Sequence, residues 1–328
     1  KTIEFLIDRR YCPTHPFMYQ KAGDTTWKGA DTFSAALNGI SGSGYLTGTI
    51  ELCQDITDTT TDKIGTLNYK YITLRSNPDD DQIYVWTRLG KSYNGFLIQN
   101  GSRLTLADIV LNLTANGSNK MVILFELGVS ANDGGGEAVL GAGAVIQGEV
   151  SSSLYLTEKG SSFTLDGGTI RNLTAGSSLL PMPKKSFSVK SGTIENCAVN
   201  NGAIIPLGDN TLNLSNVTIT NNTTTAGAIT VGATGVIKVS GDVIVKDNKV
   251  GDDAKNIVLQ NTANLQMVDA LGANASVGVS FGEQLGDVFG SFTKAEATKD
   301  DMKTASAFKN DADAALSGKV KDGALIWW

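Results

Sequence analysis

The chain is expected to be all-β, a stack of many short strands, and three observations predict this. One phrase recurs, "SFTLDGGTIRN" (162–172), "SFSVKSGTIEN" (186–196) and "TLNLSNVTITN" (211–221), first 24 and then 25 residues on. Apolar and polar residues alternate within each copy, a period of two that marks a strand with one buried face. The composition, with 37 Gly, only 6 Pro and 18% charged residues, suits short strands joined by tight turns.

A unit this small cannot bury its own apolar face, so it must stack on copies of itself. Gly-Gly, Ser-Gly or Ser-Asn breaks the first strand, T-I-x-N opens the second, and "GAIIPL" (202–207) and "GAITVG" (227–232) supply a third. Three strands per ~25-residue turn, stacked at the ~4.8 Å strand spacing, make a parallel β-helix. A β-sandwich or antiparallel barrel lacks fixed-period copies with matching interior residues.

Stacking predicts ladders of like residues. Phe163, Phe187, Leu212 and Ile237 form one interior ladder, and Ile170, Ile194, Ile219 and Ile244 another. Ala138, Leu140 and Val145 fit a degraded copy before these, and Leu104, Leu106 and Leu111 one 34 residues earlier, with a longer loop between. Asn172, Asn196 and Asn221 form a ladder at a bend, because Asn tolerates the left-handed region and its amide can bond the next Asn. The fourth copy has Lys246 there, followed by Asp247-Asn248, so the ladder ends or shifts.

An N-terminal segment and helical cap occupies 1–44, the stack 45–292 and a C-terminal capping segment 293–328. "ADTFSAALNGI" (30–40) reads as the capping helix, with Asp31 as N-cap, Phe33, Ala36 and Leu37 as its apolar face, and Asn38-Gly39 ending it. "YLTGTIELCQDIT" (45–57) and "YITLRS" (71–76) are the first strands, and "ASVGVSFG" (275–282) a late one. Residues 293–317 read equally as a helix or a loose cap, while "GALIWW" is apolar enough to pack.

The net charge of -6 and pI near 4.9 argue against a nucleic-acid binder, which needs a basic stripe. No apolar run reaches the ~18 residues of a membrane span. The chain starts at Lys1, so a processed or trimmed N-terminus is expected, with any signal or anchor removed. Cys12, Cys53 and Cys197 match no zinc or redox motif. They read as buried or idle thiols, with a Cys12–Cys53 bridge left open.

"TFSAALNGI…YLTGTIELCQDIT…YITLRS", the repeated F-x-L-x-x-G-T-I-x-N and the closing "GDVIVKDN…NIVL…LGANASVGVSF" resemble bacterial right-handed parallel β-helix surface proteins, some of them adhesin-like. The resemblance covers about residues 30 to 290, and the stretch 112 to 137 departs from the period. It implies a right-handed coil, an extracellular or cell-surface location, a polysaccharide or a host or cell-surface protein as partner, and no cofactor. Such motifs specify fold far better than function.

Right-handed β-helices also include pectate lyases and polygalacturonases, so catalysis is the alternative. A hydrolase of that kind needs paired Asp with supporting His and Arg or Lys. The lone histidine, His15, lies outside the repeats. A lyase needs carboxylates for Ca²⁺ and a basic side chain. Asp79, Asp80 and Asp81 in "NPDDDQ" are the weak candidates for that cation, and they read first as a solvated turn after Pro78. Asp252-Asp253 and "NDGGGE" (132–137) read as turns, and "GAGAV" (141–145) lacks the GK[ST] of a phosphate loop. An ice-binding face would need Thr on many successive turns, and the row Thr169, Thr193, Thr218 breaks at Val243 and Ala144. A self-associating wall or matrix scaffold is a third possibility.

Aromatics are the remaining lead. Tyr69, Tyr71, Tyr84, Trp86 and Tyr93 cluster in 69–93. In "IYVWTRL" alternation puts Ile83, Val85 and Thr87 on one face and Tyr84, Trp86 and Arg88 on the other. With the aliphatics inward, Tyr84, Trp86 and Arg88 form an outward platform for sugar rings or a partner protein. The competing reading packs this face under the cap or a long loop.

Overall fold

The computed structural model describes residues 14–59, 63–89, 95–114, 120–128, 135–157, 161–182, 186–282, 284–293 and 298–328. Its described residues are all-β, 57% strand and 7% helical. Among the described residues the strands form a large, mostly parallel sheet of 27 and a second sheet of four.

Each long strand pairs in parallel with the strand one repeat ahead. Phe163 faces Phe187 and Ile170 faces Ile194. Ile194 in turn faces Ile219, and Leu212 faces Ile237. The third segment does the same, with Ile205 on Ile229, Ile229 on Ile257 and Ile257 on Val279. The four-stranded sheet, Gly65–Asn68, Phe96–Gln99, Phe125–Leu127 and Tyr155–Thr157, is parallel throughout. One apolar cluster runs from Phe17 to Trp327, so the copies share a continuous interior.

The expected ladders need two corrections, both of one residue. Thr218 faces Ile244 and Ile219 faces Val245, so Val245 is buried and Ile244 half-buried. Val145 likewise gives its interior place to Ile146, which faces Ile170. "VSGDVIV" and "LGAGAVI" each carry one residue more than "LDGGTI", and the structure absorbs it at a bulge. A fixed count from the preceding strand therefore lands on the wrong face, because a one-residue slip exchanges inside and outside.

Asn172, Asn196 and Asn221 do adopt the left-handed conformation, joined by Asp247, with φ between 49° and 57°. The amide-to-amide bonds run one position later, in the interior. Asn222 Nδ2 donates to Asn248 Oδ1 at 2.8 Å and Asn248 Nδ2 to Asn256 Oδ1 at 2.8 Å. Asn256 Nδ2 then donates to Asp311 Oδ1 at 2.5 Å, and Ser280 Oγ donates to Asp311 Oδ2 at 2.5 Å. At the other end, Asn222 Oδ1 accepts from the Cys197 amide at 2.8 Å. Buried amides are tolerated here because they satisfy one another and the chain ends on a carboxylate.

Both edges are covered. Phe17–Lys21 runs antiparallel against Leu46–Leu52 and against Lys28–Ala30, placing two strands where the sequence suggests only a helix. The helix spans Phe33–Gly39, with Phe33, Ala36 and Leu37 buried as expected. Its N-cap is Thr32, whose Oγ1 accepts from Ala35 N at 3.1 Å, rather than Asp31, which pairs with His15. At its far end Lys70 Nζ donates to the carbonyls of Leu37 and Ile40. The C-terminal segment holds a short helix, Lys299–Lys303, with a Thr298/Asp301 capping box, then a 3₁₀ turn and the strand Phe308–Asn310. Gly318–Lys321 and Ala324–Trp327 close it as an antiparallel pair. Trp327 is buried and stacked 3.9 Å from Phe289, whereas Trp328 is exposed.

Cys53 is disulfide-bonded, which overturns the idle-thiol reading for that residue, and Cys12 lies outside the described residues. Cys197 is a buried free thiol. No helix among the described residues is long and apolar enough to cross a membrane.

Candidate functional site

The structure reverses the orientation expected of "IYVWTRL". Trp86 and Arg88 are each 3% exposed, while Ile83 is 53% exposed. Trp86 packs edge-on against Phe17 at 5.3 Å and beside Phe33 at 5.7 Å, both from the N-terminal cover. Arg88 Nη1 donates to Asp58 Oδ2 at 2.5 Å on the neighbouring parallel strand. Tyr84 is half-buried and donates to Asp80 Oδ2 at 2.8 Å, and burial together with that bond pushes its phenol up to about 12. The physical reason is register: Trp86 and Arg88 pair with the buried Leu111 and Leu113, so their face is the interior one, and the aromatic rings of the cap close over Trp86. The three residues thus form no outward platform, and Tyr93 lies outside the described residues.

Asp79, Asp80 and Asp81 form a turn closed on itself. Asn77 Oδ1 accepts from Asp79 N, Asn77 Nδ2 and Tyr84 Oη both donate to Asp80 Oδ2, and Asp81 is left-handed at φ 48°. Among the described residues, no three His, Cys, Asp or Glu are grouped so as to hold a metal ion.

A cleft of about 380 Å³ opens beside Trp86, lined by Phe17, Phe33, Asp31, Asp58 and Lys63 among others. Its charged groups are already engaged: Asp58 with Arg88, Lys63 with Glu126, and Asp31 with His15.

The exposed aromatic surface lies elsewhere, on the outer face of the first parallel strands. Tyr45, Tyr69 and Tyr71 are 54%, 47% and 40% exposed. The Tyr45 ring stacks on Tyr71 at 5.4 Å and 22°, and meets Tyr69 edge-on at 5.5 Å. Tyr45 Oη donates to Asn100 O at 3.2 Å, and Gly101 beneath it leaves that hydroxyl room, since a Cβ there would lie 2.7 Å from it. Arg103, the parallel partner of Tyr71, sits 5.7 Å from its ring centroid. Arg103 Nε donates to Glu137 Oε2 at 2.6 Å, one strand further along.

Tyr69 has one further peculiarity. Among the described residues, every non-glycine at positive φ is Asn or Asp except Tyr69, at φ 53°. The corresponding corner of the next repeat is made by Asn100 and Gly101, residue types that enter this region easily. A bulky side chain held there is strained, and such strain persists where the surrounding structure over-determines it, often at functional positions.

Of this patch, the sequence pointed to Tyr69 and Tyr71 but missed Tyr45, Arg103 and Glu137. A signal existed for the first: "YLTGTIEL" and "YKYITLRS" align 24 residues apart, Tyr45 over Tyr69. Arg103 and Glu137 lie past irregular gaps that no fixed period crosses. Comparison with known proteins returns no matching family model, no matching curated protein and no matching solved structure.

Proposed function

We propose that this chain is a non-enzymatic, secreted or cell-surface binding module of a larger, adhesin-like bacterial protein, built as a right-handed parallel β-helix with turns of about 25 residues. The coil is supported by parallel registers such as Phe163 on Phe187 and Val189 on Leu214, each joining residues one repeat apart. The resemblance of the repeat phrases to β-helix surface proteins supplies the hand and the location. The observation that carries the binding role is the tyrosine patch, above all Tyr69, held in a conformation its side chain disfavours so that its ring stands beside Tyr45. Ordinary stability would favour Asn at that corner, and a ring retained against that preference suits a surface that touches something.

The test is retention of the whole chain on intact bacterial cells, mucin-coated surfaces and insoluble polysaccharides. A Tyr45→Ala/Tyr69→Asn/Tyr71→Ala variant that melts cooperatively and no earlier than the wild type is expected to lose retention at least tenfold. Equal retention of variant and wild type sinks the reading. New oligosaccharides in the supernatant, read by mass spectrometry, would instead favour a lyase or hydrolase.

A further inference from the structure

The tyrosine patch continues into two rows that run across the strands. The first is Thr47, Tyr71, Arg103 and Glu137, successive parallel partners on four neighbouring strands. The second, two residues along each strand, is Thr49, Thr73 and Thr105, all half-buried with the same outward parity. At one strand spacing per step the first row spans about 14 Å. It offers aromatic surface and phenol hydroxyls at one end and a guanidinium and carboxylate at the other, beside a line of threonine hydroxyls.

The charges on this strip cancel. Arg103 pairs with Glu137, and at its border Arg75 donates to Glu51 through Nε at 3.1 Å and Nη2 at 2.7 Å. A chain of net charge -6 with a neutral strip has nothing to attract a polyanion. The exposed large aliphatics among the described residues, Ile83, Leu156, Leu285 and Val288, all lie outside these rows. The apolar surface of the strip is thus confined to the three tyrosine rings at one end, and threonine hydroxyls and a paired Arg and Glu make up the rest. What it matches is a ligand whose apolar ring faces alternate with hydroxyls along a line.

Resting on the binding-module reading above, we infer that the strip binds a neutral, extended glycan laid across the strands, parallel to the direction in which the repeats stack. Sugar rings pack on Tyr45, Tyr69 and Tyr71, and their hydroxyls bond Thr49, Thr73, Thr105 and the free donors of the Arg103 guanidinium.

Calorimetric titration of the whole chain with neutral glucose-, xylose- and mannose-based oligomers, from disaccharide to hexasaccharide, tests this. A galacturonate series serves as the anionic control. At least one neutral series is expected to bind, with affinity rising about two- to tenfold for each added ring that finds an aromatic partner and then levelling off as the strip is filled. Tyr71→Ala should weaken the longest oligomer about tenfold or more, and Thr73→Val by a smaller factor, with melting unchanged in both. No binding by any neutral series overturns the inference, as does tighter binding of the galacturonates. Length-independent affinity overturns the lengthwise placement. Each of these failures leaves the binding-module reading to be decided by the retention assay, where only indifference to the tyrosine substitutions removes it.

Discussion

Tyr69 shows how much one residue can reveal. Its left-handed backbone costs a β-carbon-bearing residue roughly 1–2 kcal/mol, a penalty that Asn largely avoids. Tyr69→Asn is therefore expected to raise stability by about 1 kcal/mol in a denaturant titration while weakening ligand retention, the opposition of stability and function seen at strained sites. A loss of stability would show that the ring is held for packing alone. The protons of one buried thiol and one half-buried phenol make a second prediction at this scale. Burial raises the Cys197 thiol to about 12, and burial and the bond to Asp80 raise the Tyr84 phenol to about 12. Both groups keep their protons in the folded chain at pH values where the unfolded chain has begun to lose them. Their contribution is complete below the unfolded values, 9.0 for the thiol and 10.0 for the phenol, and falls as pH rises from there toward about 12. Unfolding titrations from pH 8 to 11 should show this decline, and Tyr84→Phe should flatten the part above pH 10. An unchanged slope in Tyr84→Phe would remove the phenol from the account.

Among the elements, the interior amide chain from Asn222 through Asn248 and Asn256 to Asp311 joins three stretches that are distant in sequence. Removing one member leaves its neighbours' buried donors without acceptors, which costs about 1–3 kcal/mol per orphaned group. Asn248→Ala takes away the acceptor of Asn222 Nδ2 and a donor to Asn256 at once, so a loss of about 2–4 kcal/mol is expected from chemical denaturation. A loss under 1 kcal/mol would mean that water fills the gap. Asp311 ties the C-terminal segment into this chain through Asn256 and Ser280. Those bonds, with the parallel pairing of Phe308–Asn310 on residues 277–279, hold the described end of a stretch whose sequence reads equally as helix or loose cap.

For the molecule as a whole, the proposed coil predicts that a repeat is removable. Deleting residues 187–211 places Leu212 where Phe187 stood, opposite Phe163, with alternation and corners kept. The shortened chain is expected to fold cooperatively with an unchanged circular dichroism shape and a modest drop in melting temperature, as stacked repeats contact chiefly their neighbours. Collapse to an unfolded or aggregated product would argue against a stack of equivalent turns. Ile194→Ala, in the middle of the interior ladder, should cost about 2–5 kcal/mol.

The sequence by itself determined that this is a repeating all-β chain, and which residues of each regular copy face inward. Alternation and period act locally, and every copy must solve the same burial problem, so Phe163, Phe187, Leu212 and Ile237 were legible at once. It determined too that Asn172, Asn196 and Asn221 sit at left-handed corners, because few side chains tolerate that geometry. Tertiary structure alone decided the rest. A single inserted residue moved the interior place from Ile244 to Val245, and only pairing with the neighbouring strand shows where the bulge falls. Pairing with the next strand sets Trp86 beside Leu111 and Arg88 beside Leu113, in the interior row, whereas local alternation had placed both outside. The proposed strip sets Tyr71, Arg103 and Glu137 at successive positions in one row across gaps of irregular length, with Tyr45 stacked on Tyr71 beside it, and it exists only because stacking brings them together.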